Sequence, residues 1–522
     1  MQIRLHGLWS AIAVASLGLL ALSGCSDSAA PTIDPPDAGA DADEACDAAP
    51  YPSAAWSRCE ARNFRRILEA PAEQANPAFQ ARLLAQSAAN AQSWTERLLQ
   101  DPSWLDPRSG NSLILPVCAA GGLGCSGDPF RHPEADGADG RGFYQQEAVV
   151  TPVLFYDRRC ARISGHLWRP RQLAPGTRLP AVVIENGSVQ APEALYWWAA
   201  QALVRGGYMV LTHDARGQGR SDFLAPGAML GSNLEPDTFW LGLVDAIDFL
   251  RSSPDRPHPR NADCARHYPT VMTAFNPDHA WLDRDRLGLA GHSFGAAGVG
   301  FVQSYGAEGA EPWPGLLDSD NPVNVIVAWD ALGTPESPVS ANAGTYIPAA
   351  GNYAGPLYTL TGKAYPAIVP RVPALDLPSE YGVVAAPFLA PPNPERHLAA
   401  FRLWQSAGVP VASLMIRGGT HLETSPLPPA HATSWCREII DGRCVGSWGL
   451  GLAGHYTLAW FDRWLKRPGE PGHGDADARL LDDEGEHGRR KLSFHFQSAR
   501  DFPDRSGQRQ HCENLRRGCT GR

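Results

Sequence analysis

Hydrophobic residues follow two different periodicities along the chain. Between Trp56 and about Leu105 the apolar positions recur at helical spacing, which predicts two or three helices. Farther along, short apolar runs alternate with helical patterns, and the first two runs, at 149–155 and 161–168, predict a pair of antiparallel strands. Strands that alternate with helices behind such a hairpin predict an α/β fold, with a mostly parallel central sheet covered by helices on both faces.

The remaining elements follow from the same two patterns. Short apolar runs predict strands, and longer runs with an apolar face predict helices. The predicted strands lie at 180–185, 207–213, 286–290, 323–328, 372–377 and 411–416, and the predicted helices lie at 196–203, 239–250 and 450–465.

Composition narrows the class of protein. The 522 residues are 43% hydrophobic, which is enough for a large core. The net charge of -10, without a basic stripe, argues against a nucleic-acid partner.

The N-terminus has the pattern of an export signal. Arg4 precedes an apolar run at 8–22, and small residues lead to Cys25. This ending resembles the lipobox of bacterial lipoproteins, which predicts removal of residues 1–24 and lipidation of Cys25. Acyl chains on Cys25 would tether the protein to a membrane surface, in the periplasm or on the cell surface, rather than span it. An ordinary signal peptide with an incidental cysteine is the alternative.

We expect five regions in the chain. They are the signal peptide at 1–24, a disordered linker at 25–52, a helical and irregular extension at 53–144, an α/β domain at 145–468 and a C-terminal tail at 469–522.

The cysteines predict disulfide bonds. Setting Cys25 aside leaves ten of the eleven cysteines, an even number in a chain that carries an export signal. Short separations predict three local bridges, and four more cysteines would form two bridges in an undetermined order. The local pairs are Cys118/Cys125, Cys436/Cys444 and Cys512/Cys519, and the other four are Cys46, Cys59, Cys160 and Cys264.

One stretch carries a recognisable chemical motif. The apolar run 287–290 leads into Gly291-His292-Ser293-Phe294-Gly295, which small apolar residues follow. A serine between two glycines, placed between a strand and a helix, is typical of a nucleophile elbow.

Three segments together resemble the α/β-hydrolase fold superfamily. They are the elbow, the segment 214–222, which is similar to the family's D-x-R-G-x-G-x-S turn, and the segment 185–190, which lies where the family has its oxyanion loop. The resemblance covers about residues 145–468. It implies a serine hydrolase, and it leaves the substrate open.

A serine nucleophile needs a base and an acid that orients the base. His421 follows the last predicted strand, in a loop that resembles the family's histidine loop. The resemblance favours Glu380 as the acid, at the family's usual position, with Asp330 as the alternative and Asp376 as a weaker third.

The resemblance also implies the oxyanion donors and the reaction. The backbone N–H groups of Phe294 and Ser188 would stabilise the developing oxyanion. A carboxylic ester hydrolase acting on small-molecule or lipid esters is favoured, without metal or cofactor. A peptidase or acyltransferase on the same residues, or a tethered binding module, stays open.

Overall fold

The computed structural model describes most of the chain after residue 45. The described residues are 46–68, 73, 75–111, 142–188, 191–228, 235–337, 364–383, 385–427, 430–436, 438–440, 443–445 and 448–519. They fall within one compact unit, Cys46–Arg522. The predicted signal peptide and Cys25 lie outside these residues. Within the described part of the chain, no helix is both long and apolar enough to cross a bilayer.

A large sheet forms the centre of the described structure. Its strands are β1 (Ala148–Tyr156), β2 (Arg162–Pro170), β3 (Leu179–Glu185), β4 (Met209–His213), β5 (Leu282–His292), β6 (Val323–Trp329), β7 (Ala374–Leu377) and β8 (Val411–Ser413), and a small separate ribbon contains β9 (Glu438–Ile440) and β10 (Arg443–Val445). Two further strands of the large sheet, β11 (Ala499–Pro503) and β12 (Arg509–Cys512), come from the tail.

The strand order is β1-β2-β4-β3-β5-β6-β7-β8-β11-β12. The pairs from β4 to β8 are parallel, whereas β1, β2, β11 and β12 pair antiparallel at the two edges. Every residue of β3 and of β4 is buried, as expected of parallel strands that helices cover on both faces. The predicted fold class, an α/β fold with a mostly parallel central sheet flanked by helices, is therefore confirmed.

Helices cover both faces of this sheet. The helices are α1 (Ala54–Leu68), α2 (Pro77–Gln100), α3 (Trp197–Arg205), α4 (Leu243–Arg251), α5 (Pro259–Cys264), α6 (Phe294–Ser304), α7 (Ala399–Ser406), α8 (Gly449–Leu465) and α9 (Ala476–Leu481). One apolar cluster joins α4, α6 and α7 to the sheet, and a second joins α3 and α8 to it. Helices α1 and α2 form the predicted N-terminal extension.

The C-terminal tail contributes more to the fold than its polar composition indicates. Ala499 of β11 pairs with Ser413 of β8, and Phe502 lies in the apolar cluster that contains α8. The sequence pattern does not predict either tail strand, because both strands contain charged residues, among them Arg500, Asp501 and Arg509. These charges are neutralised locally, since Arg509 binds Asp501 and Arg500 binds Asp483.

Disulfide bonds join the described cysteines. The structure contains the predicted Cys512–Cys519 bridge, and it resolves the open order as Cys46–Cys59 and Cys160–Cys264. Cys436 is also disulfide-bonded, but the side chain of Cys444 is outside the described residues. The predicted pair Cys118/Cys125 lies outside them as well.

Candidate active site

The nucleophile elbow is the sharp turn from β5 into α6. Ser293 sits at its apex with φ 57° and ψ -118°, a conformation that L-residues rarely adopt. A Cβ on Gly291 would lie 2.2 Å from the carbonyl oxygen of Gly295, and a Cβ on Gly295 would lie 2.5 Å from the carbonyl oxygens of Glu185 and Asn186. Both glycines are therefore required by close backbone contacts, and Ser293 is left half-buried at the end of the strand.

His421 and Asp330 complete a chain of hydrogen bonds that begins at Ser293. The distance from Ser293 Oγ to His421 Nε2 is 3.1 Å, and the distance from His421 Nδ1 to Asp330 Oδ2 is 2.5 Å. A carboxylate only accepts hydrogen bonds, so Nδ1 carries the proton and donates a hydrogen bond to Asp330. Nε2 is then an acceptor for the serine hydroxyl, which is the arrangement that a serine nucleophile needs.

Asp330 is held as an ionised carboxylate. It follows β6 directly, has φ 50° and is 5% exposed. The backbone N–H and the hydroxyl of Ser379 each donate to it at 2.8 Å. Burial alone would raise the pKa of Asp330, but the electrostatic interaction with His421 and the hydrogen bonds from His421 and Ser379 outweigh burial and lower it.

Glu380, the acid favoured by the sequence, does not contact His421. Its carboxylate accepts hydrogen bonds from the backbone N–H of Gly418, from Ser493 Oγ and, at 3.0 Å, from Asn63 Nδ2. The position at which the sequence predicted the acid therefore contains a buried carboxylate that binds the backbone of the histidine loop (residues 417–421). The structure corrects the acid from Glu380 to the alternative, Asp330.

Asp376 does not contact His421 either. Its oxygens accept from the backbone N–H of Leu332 at 2.9 Å and from Ser413 Oγ at 3.0 Å. Burial raises the pKa of Asp376 to about 7. Because Leu332 lies just after Asp330, this carboxyl supports the segment that carries the acid.

Of the two predicted oxyanion donors, Phe294 directly follows the serine, and Ser188 directly follows a glycine that approaches it. Phe294 is the first residue of α6, where the backbone N–H groups have no partner within the helix. Ser188 follows Gly187, and a Cβ on Gly187 would lie 3.3 Å from the Cβ of Ser293. The end of β3 therefore brings the predicted oxyanion loop against the nucleophile.

A second chain of hydrogen bonds joins this loop to the histidine loop. His292 Nε2 lies 2.7 Å from the carbonyl oxygen of His421, so Nε2 must donate and Nδ1 must accept. The hydroxyl of Tyr196 lies 2.9 Å from His292 Nδ1 and accepts the N–H of Gly187 at 2.9 Å. Burial, followed by the nearby His421, lowers the pKa of His292 to about 3, which keeps the ring neutral.

The turn at 214–222 is held by buried hydrogen bonds and ion pairs. Asp214 accepts the backbone N–H groups of Glu193 at 2.7 Å and Arg220 at 2.8 Å, while Arg216 pairs with Asp157 and Glu235. Burial and the neighbouring Glu193 raise the pKa of Asp214 to about 6. The turn thus anchors the segment that leads into α3, which follows Tyr196.

Among the described residues, no group of three or more His, Cys, Asp or Glu side chains is arranged to hold a metal ion.

Comparisons with known proteins add little. No model of a protein family matches the chain, and no curated protein matches its sequence. Among solved structures, the chain is similar to the acylaminoacyl peptidase of Pyrococcus horikoshii, with a TM-score of 0.37 and 13% identity over 64% of this chain and 44% of that one. The match thus spans less than half of the peptidase.

Proposed function

We propose that the protein is a serine hydrolase that cleaves carboxylic esters through an acyl-enzyme intermediate. The observation that carries this proposal is the continuous chain from Ser293 Oγ through His421 to Asp330, at 3.1 and 2.5 Å. Positive φ at both Ser293 and Asp330 supports it, because strained backbone tends to persist at functional sites.

The reaction follows from these three side chains. Ser293 Oγ attacks the ester carbonyl carbon while His421 Nε2 takes the hydroxyl proton, and the carbonyl oxygen becomes an oxyanion facing the N–H groups of Phe294 and Ser188. The tetrahedral species collapses, and the alcohol leaves with the proton from His421. Water then repeats the sequence on the acyl-enzyme, which releases the acid and restores Ser293.

We favour esters over amides as substrates because esters have the better leaving group. An alkoxide is a much weaker base than the anion of an amine and leaves more readily, so an ester needs the fewest groups beyond the nucleophile, its base and the oxyanion donors. Experiments have to define the acyl and alcohol parts of the substrate. A series of p-nitrophenyl esters of increasing acyl length tests the acyl part first.

The test uses the folded protein with a fluorophosphonate probe and these esters. We expect the probe to label the wild type and turnover to follow the same serine. Ser293→Ala should abolish labelling, and both Ser293→Ala and His421→Ala should abolish turnover. Labelling or turnover that persists in Ser293→Ala would contradict the proposal. Turnover of aminoacyl amides but not of esters would replace the esterase with a peptidase, and a wild type that neither labels nor turns over would leave a binding module.

The proposal includes export and a lipid tether on Cys25. The N-terminal pattern supports this location, and so do the disulfides among the described residues, because such bonds are rare in the cytosol. Metabolic labelling with a fatty-acid analogue in a bacterial host should mark the full chain and not Cys25→Ser. Equal labelling of both chains would contradict the tether.

A further inference from the structure

Helix α1 of the N-terminal extension buries polar groups on the face that packs against the α/β domain. Its buried residues recur at helical spacing, and two of them, Glu60 and Asn63, are polar, with exposures of 4% and 0%. A buried polar side chain is costly unless its hydrogen bonds are made inside the protein. The partners of these two residues therefore indicate what the helix does.

Asn63 bridges two segments that flank His421. Its Nδ2 donates to Glu380 Oε2 and to the hydroxyl of Tyr381, both at 3.0 Å, and its Oδ1 accepts from Arg417 Nε at 3.1 Å. Every hydrogen-bonding atom of the amide is thus used, and one of its partners, Arg417, is the first residue of the histidine loop.

Glu380 transmits this contact to the backbone of the histidine loop. The carboxylate oxygen that accepts from Asn63 also accepts the N–H of Gly418, while the backbone N–H groups of Glu380 and Tyr381 donate to the carbonyl of Gly419 at 3.0 Å. Gly418 has φ 72°, so the turn relies on fixed backbone contacts rather than on a regular helix or strand.

Glu60 secures the same helix at a second point. It accepts the hydroxyl of Tyr381 at 2.9 Å and the N–H of Phe388 at 3.0 Å, and it contacts His495 Nε2 of the tail. Helix α1, the segment after β7 and the tail thus form one buried network behind His421. Of these residues, Glu60, Asn63 and His495 lie outside every segment that the sequence linked to the site.

We propose that Asn63 is a positioning residue for His421, acting through Glu380 and Arg417, so that the N-terminal extension is a working part of the active site. The proposal rests on the proposed function for its kinetic consequence. Its structural consequence, a histidine loop fixed by Asn63, does not depend on activity.

The test compares Asn63→Ala with Ile67→Ala in the full chain. Ile67 lies on the same buried face of α1 and is 0% exposed, but it packs among apolar side chains and loses no hydrogen bond to the loop when shortened. Hydrogen exchange by mass spectrometry follows the amides of residues 418–421, and kcat and KM are measured on a p-nitrophenyl ester, per serine titrated with fluorophosphonate.

We expect Asn63→Ala to speed exchange in the loop at least about tenfold and to lower kcat about tenfold, with KM within about twofold. Ile67→Ala should leave both loop exchange and kcat within about twofold. In the background of Glu380→Ala, the effect of Asn63→Ala on kcat should be smaller than in the wild type, because the route through Glu380 is already lost and only the contact with Arg417 remains.

The outcomes separate the two proposals. Unchanged loop exchange in Asn63→Ala, or an equal loss of kcat in Ile67→Ala, overturns the positioning role. If the wild type has no serine-dependent turnover, the proposed function fails, and the exchange measurement alone still decides whether Asn63 fixes the loop.

Discussion

The nucleophile elbow and the histidine loop meet in one site, but they are built in different ways. The elbow is a continuous stretch, β5 and α6, and its critical contacts join Gly291 to Gly295. The histidine loop is held by residues far away in sequence, since Asn63 lies 317 positions from Glu380 and Ser493 lies 113 from it. Half of the site is therefore encoded locally, and the other half depends on long-range buried contacts.

The largest effect is expected from a change within the elbow. Gly291→Ala would place a Cβ 2.2 Å from the carbonyl oxygen of Gly295, so strand and helix could not keep their approach. We expect a loss of at least about 3 kcal/mol in the free energy of unfolding, together with the loss of activity. Denaturant unfolding and ester turnover measure the two effects.

Gly300→Ala is the matched control, since it lies in the same helix α6 and its added Cβ would meet no atom within 4 Å. It should stabilise the protein by about 0.5–1 kcal/mol, the usual gain of alanine over glycine in a helix. Equal stability of Gly291→Ala and Gly300→Ala would contradict the local construction of the elbow.

A smaller, pH-dependent effect is expected on the acid side of the site. Burial raises the pKa of Asp376 to about 7, whereas an unfolded aspartate has a pKa of about 4. Between these values the unfolded chain ionises and the folded chain keeps the proton. The contribution of Asp376 to stability is thus full below about pH 4 and is lost as pH rises to about 7.

Asp376→Asn removes this titration and keeps the shape of the protonated acid. Its free energy of unfolding should rise relative to wild type between pH 5 and pH 8, by a few kcal/mol, and denaturant titrations at both pH values measure it. Asp320→Asn, at an exposed position, should follow the wild type at both. A constant difference between Asp376→Asn and wild type would show that the buried carboxyl does not titrate in this range.

The smallest effect is expected at the chain of hydrogen bonds that joins the elbow and the oxyanion loop to the histidine loop. Tyr196→Phe removes the hydroxyl that joins the N–H of Gly187 to His292 Nδ1. We expect kcat to fall about tenfold, equivalent to about 1.4 kcal/mol, with KM nearly unchanged, since the buried hydrogen bonds of this hydroxyl are lost behind the oxyanion loop.

Tyr208→Phe serves as its control. Tyr208 is equally buried, and its hydroxyl donates to Asp462 of α8 at 2.7 Å. This variant should lose stability but keep kcat. If both tyrosine variants lose kcat equally, the effect of Tyr196 reflects general packing and not the link.

The same contrast explains what the sequence could predict. The glycines, the serine and the apolar run of the elbow are adjacent, so the pattern reveals them, and His421 stands out because it follows the last parallel strand. The acid was misassigned because Glu380 and Asp330 both follow a strand, and only the fold determines which of them faces the imidazole. One sequence feature could have pointed to Asn63: it is a polar residue at a position of α1 that helical spacing predicts to be buried.

The tail strands and the hydrogen bond between Tyr196 and His292 could not be predicted from a local sequence pattern. The sequence pattern does not predict β11, because the strand contains charged residues whose neutralising partners lie elsewhere along the chain. His292 is part of the motif itself, but its role depends on a tyrosine 96 positions away. Pairings of this kind are set by three-dimensional packing, which a one-dimensional pattern does not contain.

The most direct test of the account is the kcat of Asp330→Asn compared with that of Glu380→Gln, each normalised to folded protein. If Asp330 orients His421, its loss should lower kcat by about 10,000-fold, the scale seen when the aspartate of such a triad becomes an amide, whereas Glu380→Gln should lower it by about tenfold. The reverse order, with Glu380→Gln nearly inactive and Asp330→Asn close to wild type, would contradict the account.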